Sequence, residues 1–174
     1  TINLGERARV TVGGRYTYDK LKLQTTADAT GFVIPLGVPG SRDQQISEEN
    51  FSWRIGAQYD VTDDIMAYAS VARGYKGPGF NLSIDPRAPL IMPEIPTSYE
   101  AGIKSTLLDR HLIFNVSGYT STFKNFQAQA FDTASNGYVL LNAGELKSRG
   151  FEVEASALPA EGLVFNLGTS YVDA

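Results

Sequence analysis

The chain has 174 residues and a net charge of −4, and its acidic and basic side chains are mixed along the sequence. It therefore lacks the basic stripe of a nucleic-acid binder, and the absence of cysteine excludes disulfide bonds and thiolate metal sites. No run of about 18 apolar residues is present, which excludes a transmembrane helix, and the length corresponds to about one domain.

Two segments in the first third of the chain alternate between apolar and polar side chains. In residues 8–18 the even positions are apolar or glycine, and in residues 51–59 the odd positions are apolar. A period of two predicts a β-strand with one apolar and one polar face. Strands of roughly ten residues have the length of a tilted strand that crosses a bilayer.

Similar alternation along the rest of the chain predicts about seven strands. They are expected near residues 7–23, 49–59, 65–75, 98–107, 111–127, 138–157 and 163–173. The third is the least regular, since both of its sides are largely apolar, and we assign its odd positions to the lipid side. From the shared phase of the alternation we expect lipid contact at Val10, Val12, Ile55, Ile103, Phe114, Val153 and Phe165.

The connections between these strands alternate in length. Residues 24–48 and 76–97 form long connections and residues 128–137 a moderate one, whereas residues 60–64, 108–110 and 159–162 form short turns rich in Asp, Pro and Gly. Short turns at one end and long loops at the other are typical of an outer-membrane barrel.

Charged side chains occupy the middle of the polar side of the strands. At the middle of the bilayer an arginine or lysine would cost about 2–4 kcal/mol and a glutamate less, whereas in a wide, wet lumen the cost is small. We therefore predict that five of them face the lumen: Arg54, Glu100, Lys104, Glu152 and Glu154. Aromatic residues near strand ends are typical of membrane-interface girdles. A half-exposed sheet of a soluble β-sandwich shows the same alternation, so that fold stays an alternative.

Four stretches of sequence, in this order, resemble barrel signatures of a known family. They are GRYT at 14–17, YASVARGYK at 68–76 with GFN at 79–81, PE at 93–94 with SYEAGIKS at 98–105, and NAG at 142–144 with SRGFEVE at 148–154. Their order and spacing are similar to the middle-to-late barrel of the TonB-dependent outer-membrane receptors. The similarity covers nearly the whole chain.

This resemblance implies a barrel of roughly 22 strands with a plug domain inside it. About seven strands cannot close a barrel of that width. They would leave two strand edges with unpaired backbone groups exposed to lipid. The sequence also lacks a plug, a TonB-box segment and a final strand ending in an aromatic residue. We therefore expect residues 1–174 to be an all-β portion of a receptor: a partial antiparallel transmembrane β-barrel.

The resemblance also implies the function, which is energised, TonB-dependent uptake of a scarce nutrient such as an iron–siderophore complex across the Gram-negative outer membrane. The implied partners are the chain's own plug domain, the TonB energy-transducing complex, outer-membrane lipid and a small-molecule cargo. We expect cargo contacts in the second long connection, at Lys76, Phe80, Asn81 and Arg87. A passive porin-like channel and a soluble β-sandwich binding module are the alternatives.

No constellation of residues predicts an enzyme, a metal site or a bound cofactor. His111 is the single histidine and lies beside a turn, where a solvated side chain is the simplest interpretation. Glu152 and Glu154 would place two carboxylates roughly 7 Å apart on one strand face. That separation suits glycoside hydrolysis in the abstract, but a charged lumen wall explains it better.

Overall fold

The computed structural model describes residues 1–27, 40–81, 90–133 and 137–174, and these are built from β-strands and turns. In chain order the strands are β1 (Ile2–Leu4), β2 (Ala8–Ala27), β3 (Gly40–Asp60), β4 (Ile65–Arg73), β5 (Gly79–Phe80), β6 (Leu90–Ile91), β7 (Ile95–Leu107), β8 (Leu112–Lys124), β9 (Gln127–Asp132), β10 (Gly137–Asn142), β11 (Glu145–Ala160) and β12 (Leu163–Asp173). Within the described ranges there is no helix long and apolar enough to span a membrane.

Eight of these strands form one antiparallel sheet in the order β1-β2-β3-β4-β7-β8-β11-β12. Each strand of this sheet therefore pairs with the next strand of the same sheet along the chain, and a small hairpin intervenes between β4 and β7 and between β8 and β11. The remaining four make two small hairpins, β5 with β6 and β9 with β10. The large sheet confirms the all-β, antiparallel prediction.

Short and long connections lie at opposite ends of this sheet, as the sequence predicts. Residues 5–7, 61–64, 108–111 and 161–162 connect strands at one end, and residues 28–39, 74–94 and 125–144 connect them at the other. Both small hairpins belong to the long connections. The short-turn end and the long-connection end are therefore distinct surfaces of the molecule.

The first hairpin of the sheet is longer than the alternation indicates. β2 and β3 stay paired from Ala8↔Tyr59 to Ala27↔Gly40. The expectation that residues 24–48 form one long loop is therefore wrong for 24–27 and 40–48, and residues 28–39 lie outside the described part of the chain. Both sides of these segments are largely polar, so they lack the apolar–polar alternation that predicts a strand. A hairpin that extends beyond the bilayer needs no apolar face.

The predicted strand 138–157 is two strands. β10 ends at Asn142 and β11 begins at Glu145, and between them Gly144 has a φ of 87°, which breaks an extended strand. Asn125, with a φ of 54°, likewise separates β8 from β9, inside the predicted strand 111–127. Residues 127–142 therefore fold back on themselves as a separate hairpin, β9–β10.

The pairing register gathers the predicted lipid-facing residues on one face of the sheet. Val12 pairs with Ile55, Ile103 pairs with Val116, and Val116 pairs with Val153. This face is uncovered: Val12 is 63% exposed and Phe165 60%. Tyr16, Phe51, Tyr99 and Tyr59 are exposed on the same face near its two ends.

The described residues contain almost no conventional core. The buried aliphatic side chains among them are Ile46 and Ile91, both close to the long connections. An open apolar face of this size is expected for a sheet solvated by lipid and not for a soluble β-sandwich, whose second sheet would cover it.

Candidate functional site

A row of paired residues crosses the polar face of the sheet at mid-height. Tyr68 of β4 pairs with Gly102 of β7, Gly102 pairs with Ser117 of β8, and Ser117 pairs with Glu152 of β11. A side chain on Gly102 would come within 2.8 Å of the Tyr68 ring. The missing side chain therefore lets the Tyr68 ring lie flat over the strand.

Tyr68 joins two of the predicted lumen residues. Its hydroxyl donates a hydrogen bond of 2.6 Å to Glu100 Oε1, and Lys104 Nζ lies 5.7 Å from the centre of its ring. Glu100 and Lys104 are two residues to either side of Gly102, so both point to the same face as Tyr68.

Glu152 and Glu154 complete this group, which we call the inner-wall cluster: Tyr68, Glu100, Lys104, Asn115, Ser117, Glu152 and Glu154. These side chains surround a cavity of about 190 Å³. Three carboxylates face one ammonium group, so the cluster carries excess negative charge. Arg54 shares this face but stands apart, since it pairs with Gly13 and Ala72 closer to the long-connection end.

The predicted cargo residues lie in the long connection between β4 and β7. Lys76 and Glu94 form an antiparallel bridge with backbone bonds of 2.9 and 3.0 Å, and Lys76 Nζ lies 3.8 Å from Glu94 Oε2. Asn81 is buried, and its amide donates to Leu140 O at 3.0 Å. Phe80 is half-buried in β5, and Arg87 lies outside the described residues. Contact of all four with cargo stays a prediction.

The same connection is tied to the first hairpin. Tyr75 donates a hydrogen bond of 2.8 Å to Asp19 Oδ2 of β2. Burial of the phenol, this hydrogen bond and the nearby carboxylates of Asp19 and Glu48 raise the pKa of Tyr75 to about 12. A side chain on Gly77 would come within 2.9 Å of the same Asp19 oxygen.

Several residues that the sequence analysis did not single out hold the long connections together. Glu94, Gln127 and Asn142 form the contact between the connection after β4 and the β9–β10 hairpin. Glu94 and Asn142 belong to the signature stretches PE and NAG, so the sequence did mark these two positions. Gln127 carries no signal in the sequence.

An aromatic pair on the β9–β10 hairpin was also missed. Phe131 and Tyr138 face each other across the two strands, with ring centres 5.5 Å apart and planes at 75°. They are 53% and 76% exposed. Exposed aromatic groups on a firmly held hairpin are typical of recognition surfaces.

A family model described as TonB dependent receptor-like, beta-barrel matches residues 1–174. The chain belongs to the TonB-dependent receptor family. The resemblance of the four signature stretches is thereby confirmed. TonB-dependent receptors reside in the outer membrane of Gram-negative bacteria, which accounts for the open apolar face of the sheet.

Individual receptors show the same relationship. The chain is 29% identical over 133 residues to the vitamin B12 transporter BtuB of Photobacterium profundum, and the match covers 72% of this chain and 21% of BtuB. It is 31% identical over 121 residues to the metal-pseudopaline receptor CntO of Pseudomonas aeruginosa, covering 70% of this chain and 16% of CntO. The chain thus spans about a fifth of the length of these relatives, which are named as transporters and receptors and not as enzymes.

Solved structures confirm the fold. The ferric yersiniabactin uptake receptor FyuA of Yersinia pestis superposes with a TM-score of 0.77 at 24% identity, over 97% of this chain and 24% of that receptor. The strands of this chain therefore form a segment of a barrel wall. At this identity, the likeness concerns the fold alone.

Proposed function

We propose that this chain forms part of the barrel wall and extracellular mouth of a receptor that takes up a scarce nutrient, such as an iron–siderophore complex, by TonB-dependent transport. The observation that carries the proposal is the two-sided sheet in a chain of this family. One face is open and apolar, and the other bears the inner-wall cluster at mid-height, where only a wide and polar lumen makes such charges inexpensive.

The inner-wall cluster suits a plug domain as its partner. Glu100, Glu152 and Glu154 outnumber Lys104, so the wall has carboxylates to spare for arginine or lysine side chains of a plug. Wet pairs of this kind contribute little stability each, at most about 1 kcal/mol, so they allow the plug to move when TonB pulls on it. The TonB complex would act through that plug.

Cargo would be selected at the long-connection end, which lies outside the cell in an outer-membrane barrel. Lys76, Phe80, Asn81 and Arg87 are the proposed contacts, and the exposed Phe131–Tyr138 pair adds an aromatic surface to them. The relatives are named for vitamin B12, metal-pseudopaline and ferric yersiniabactin. Two of these three names specify metal or ferric complexes, which supports a metal chelate as the cargo.

The test is uptake by bacteria that carry the full receptor gene, compared with a deletion strain and a strain that lacks TonB. Radiolabelled ferric siderophores and radiolabelled vitamin B12 serve as the probes. We expect one probe to accumulate only when both the receptor and TonB are present. If the receptor instead increases the entry of small hydrophilic solutes equally with and without TonB, it acts as a passive porin and the proposal is wrong.

A further inference from the structure

Side chains join two long connections that are far apart in the sequence. The backbone N–H of Gln127, at the start of β9, donates to Glu94 Oε2 at 2.7 Å. The side-chain amide of Gln127 donates to Gly77 O at 2.9 Å and to Met92 O at 3.0 Å. One residue of the β8–β11 connection is thus bound to three residues of the β4–β7 connection.

Asn142, which pairs with Gln127 across the β9–β10 hairpin, makes the complementary contacts. Its Oδ1 accepts from Met92 N at 2.8 Å, and its Nδ2 donates to Met92 O at 3.0 Å and to Asn125 O at 2.8 Å. The side-chain amide therefore satisfies both backbone groups of Met92, as a neighbouring strand would. A sheet-like connection is made here without a strand.

The Gln127 side of the junction is buried, whereas the hydrogen bonds of Asn142 lie at the surface. Glu94 and Gln127 are 7% and 8% exposed, and Ile91 beside them is 1% exposed. A buried polar network whose members are all paired is rigid, whereas the loss of one partner leaves a buried donor or acceptor unsatisfied. The Glu94–Gln127 side of the junction therefore holds one geometry, and Asn142 adds three further hydrogen bonds at its edge.

The β9–β10 hairpin projects beyond this junction and ends in the aromatic pair. Phe131 and Tyr138 lie on the same hairpin face as Gln127 and Asn142, since they are four residues further along each strand. That distance is roughly 13 Å, so a tilt of about 15° at the base would displace the rings by about 3 Å. Small changes at the junction are amplified at the pair.

We propose that Glu94, Gln127 and Asn142 are positioning residues that lock the β4–β7 and β8–β11 connections into one body and hold the Phe131–Tyr138 pair in place at the receptor mouth. The step from a locked hairpin to cargo selection rests on the proposed function. The lock itself does not, because it consists of contacts between residues of this chain.

Two isosteric substitutions test the lock in the full receptor. Asn142→Asp removes both donors to Met92 O and Asn125 O and places a carboxylate against them, so it should open the junction. Glu94→Gln keeps an oxygen that accepts from Gln127 N, so it should leave the junction closed. Glu161→Ala, at the exposed short turn of the opposite end, is the control.

The readout is the distance distribution between spin labels at Gln129, on the hairpin, and Lys147, on the barrel strand β11. Both side chains are exposed, and residues 1–174 contain no cysteine. Any cysteine elsewhere in the receptor is replaced by serine before labelling. We expect a narrow distribution for the unsubstituted chain, E94Q and E161A, and a distribution at least about twice as broad for N142D. Equal widths in all four would overturn the lock.

If N142D does not reach the outer membrane, Gln127→Ala takes its place, because it removes the donors to Gly77 and Met92 but keeps the backbone bond to Glu94.

A second arm measures uptake of the probe identified above. Positioning predicts that N142D raises KM at least about tenfold while Vmax and receptor abundance are kept. An unchanged KM would show that the lock does not position the cargo site, whereas loss of TonB dependence in every variant would refute the proposed function alone.

Discussion

Replacing Gly102 by alanine should destabilise the barrel wall at the inner-wall cluster. The new methyl group would come within 2.6 Å of Val116 O, a backbone atom of the β7–β8 pairing, and within 2.8 Å of the Tyr68 ring. Ordinary contacts of a Cβ begin near 3.4 Å. The ring can turn aside, but the carbonyl cannot move without shifting β8 by several tenths of an ångström.

Forced overpacking of this kind typically costs about 1–3 kcal/mol. Turning the Tyr68 ring would also stretch its hydrogen bond to Glu100, which is worth roughly 1.5–3 kcal/mol when the acceptor is charged. Adding the packing cost and part of this hydrogen bond, we expect G102A to lower the free energy of unfolding by about 2–4 kcal/mol.

Gly13 gives a matched control, because it lies on the same face of the sheet and a side chain there would meet nothing within 4 Å. Gly13→Ala should be neutral or stabilise by up to about 1 kcal/mol, since alanine loses less backbone freedom on folding. Denaturant unfolding of the purified receptor, with tryptophan fluorescence as the readout, compares the two variants. Equal unfolding midpoints for G102A and G13A would refute the packing argument.

Three further predictions concern the ends and the outer face of the sheet. Folding raises the pKa of Tyr75, so its contribution to stability should be fully present below pH 10 and lost as the pH rises through about 12. The pKa of Tyr75 is measured as the difference between the phenolate absorbance titrations of the unsubstituted receptor and Tyr75→Phe. A midpoint near 10 in that difference would contradict the prediction. Spin labels on cysteines at Val12, Ile55 and Phe165 should be accessible to oxygen in the bilayer and shielded from aqueous nickel chelates, and the reverse at most of them would overturn the facial assignment. Deleting residues 80–92 should abolish cargo uptake while heat-modifiable mobility on gels shows that the barrel still assembles; unchanged uptake would move recognition to the plug or to other loops.

The sequence alone determined most strands of the large sheet, their two faces and the ends at which the connections lie. A period of two is a local property, so Val12, Ile55 and Phe165 could be assigned to one face without any knowledge of their neighbours. Connection length is equally local, and it separated the short-turn end from the long-connection end. The order of the signature stretches determined the family.

What the tertiary structure decided is how distant residues meet. That Tyr68 lies over Gly102, that Asn142 pairs with the backbone of Met92, and that Gln127 reaches Glu94 all depend on strand register and on the paths of two separate connections. The break at Gly144 was hidden for a related reason: the apolar residues of β10 continue the pattern of a strand. The positive φ of Gly144, together with that of Asn125 before β9, separates the β9–β10 hairpin from β8 and β11. Amide and carboxylate side chains show no period, so their partners are fixed only when the folded backbone brings unpaired donors and acceptors to them.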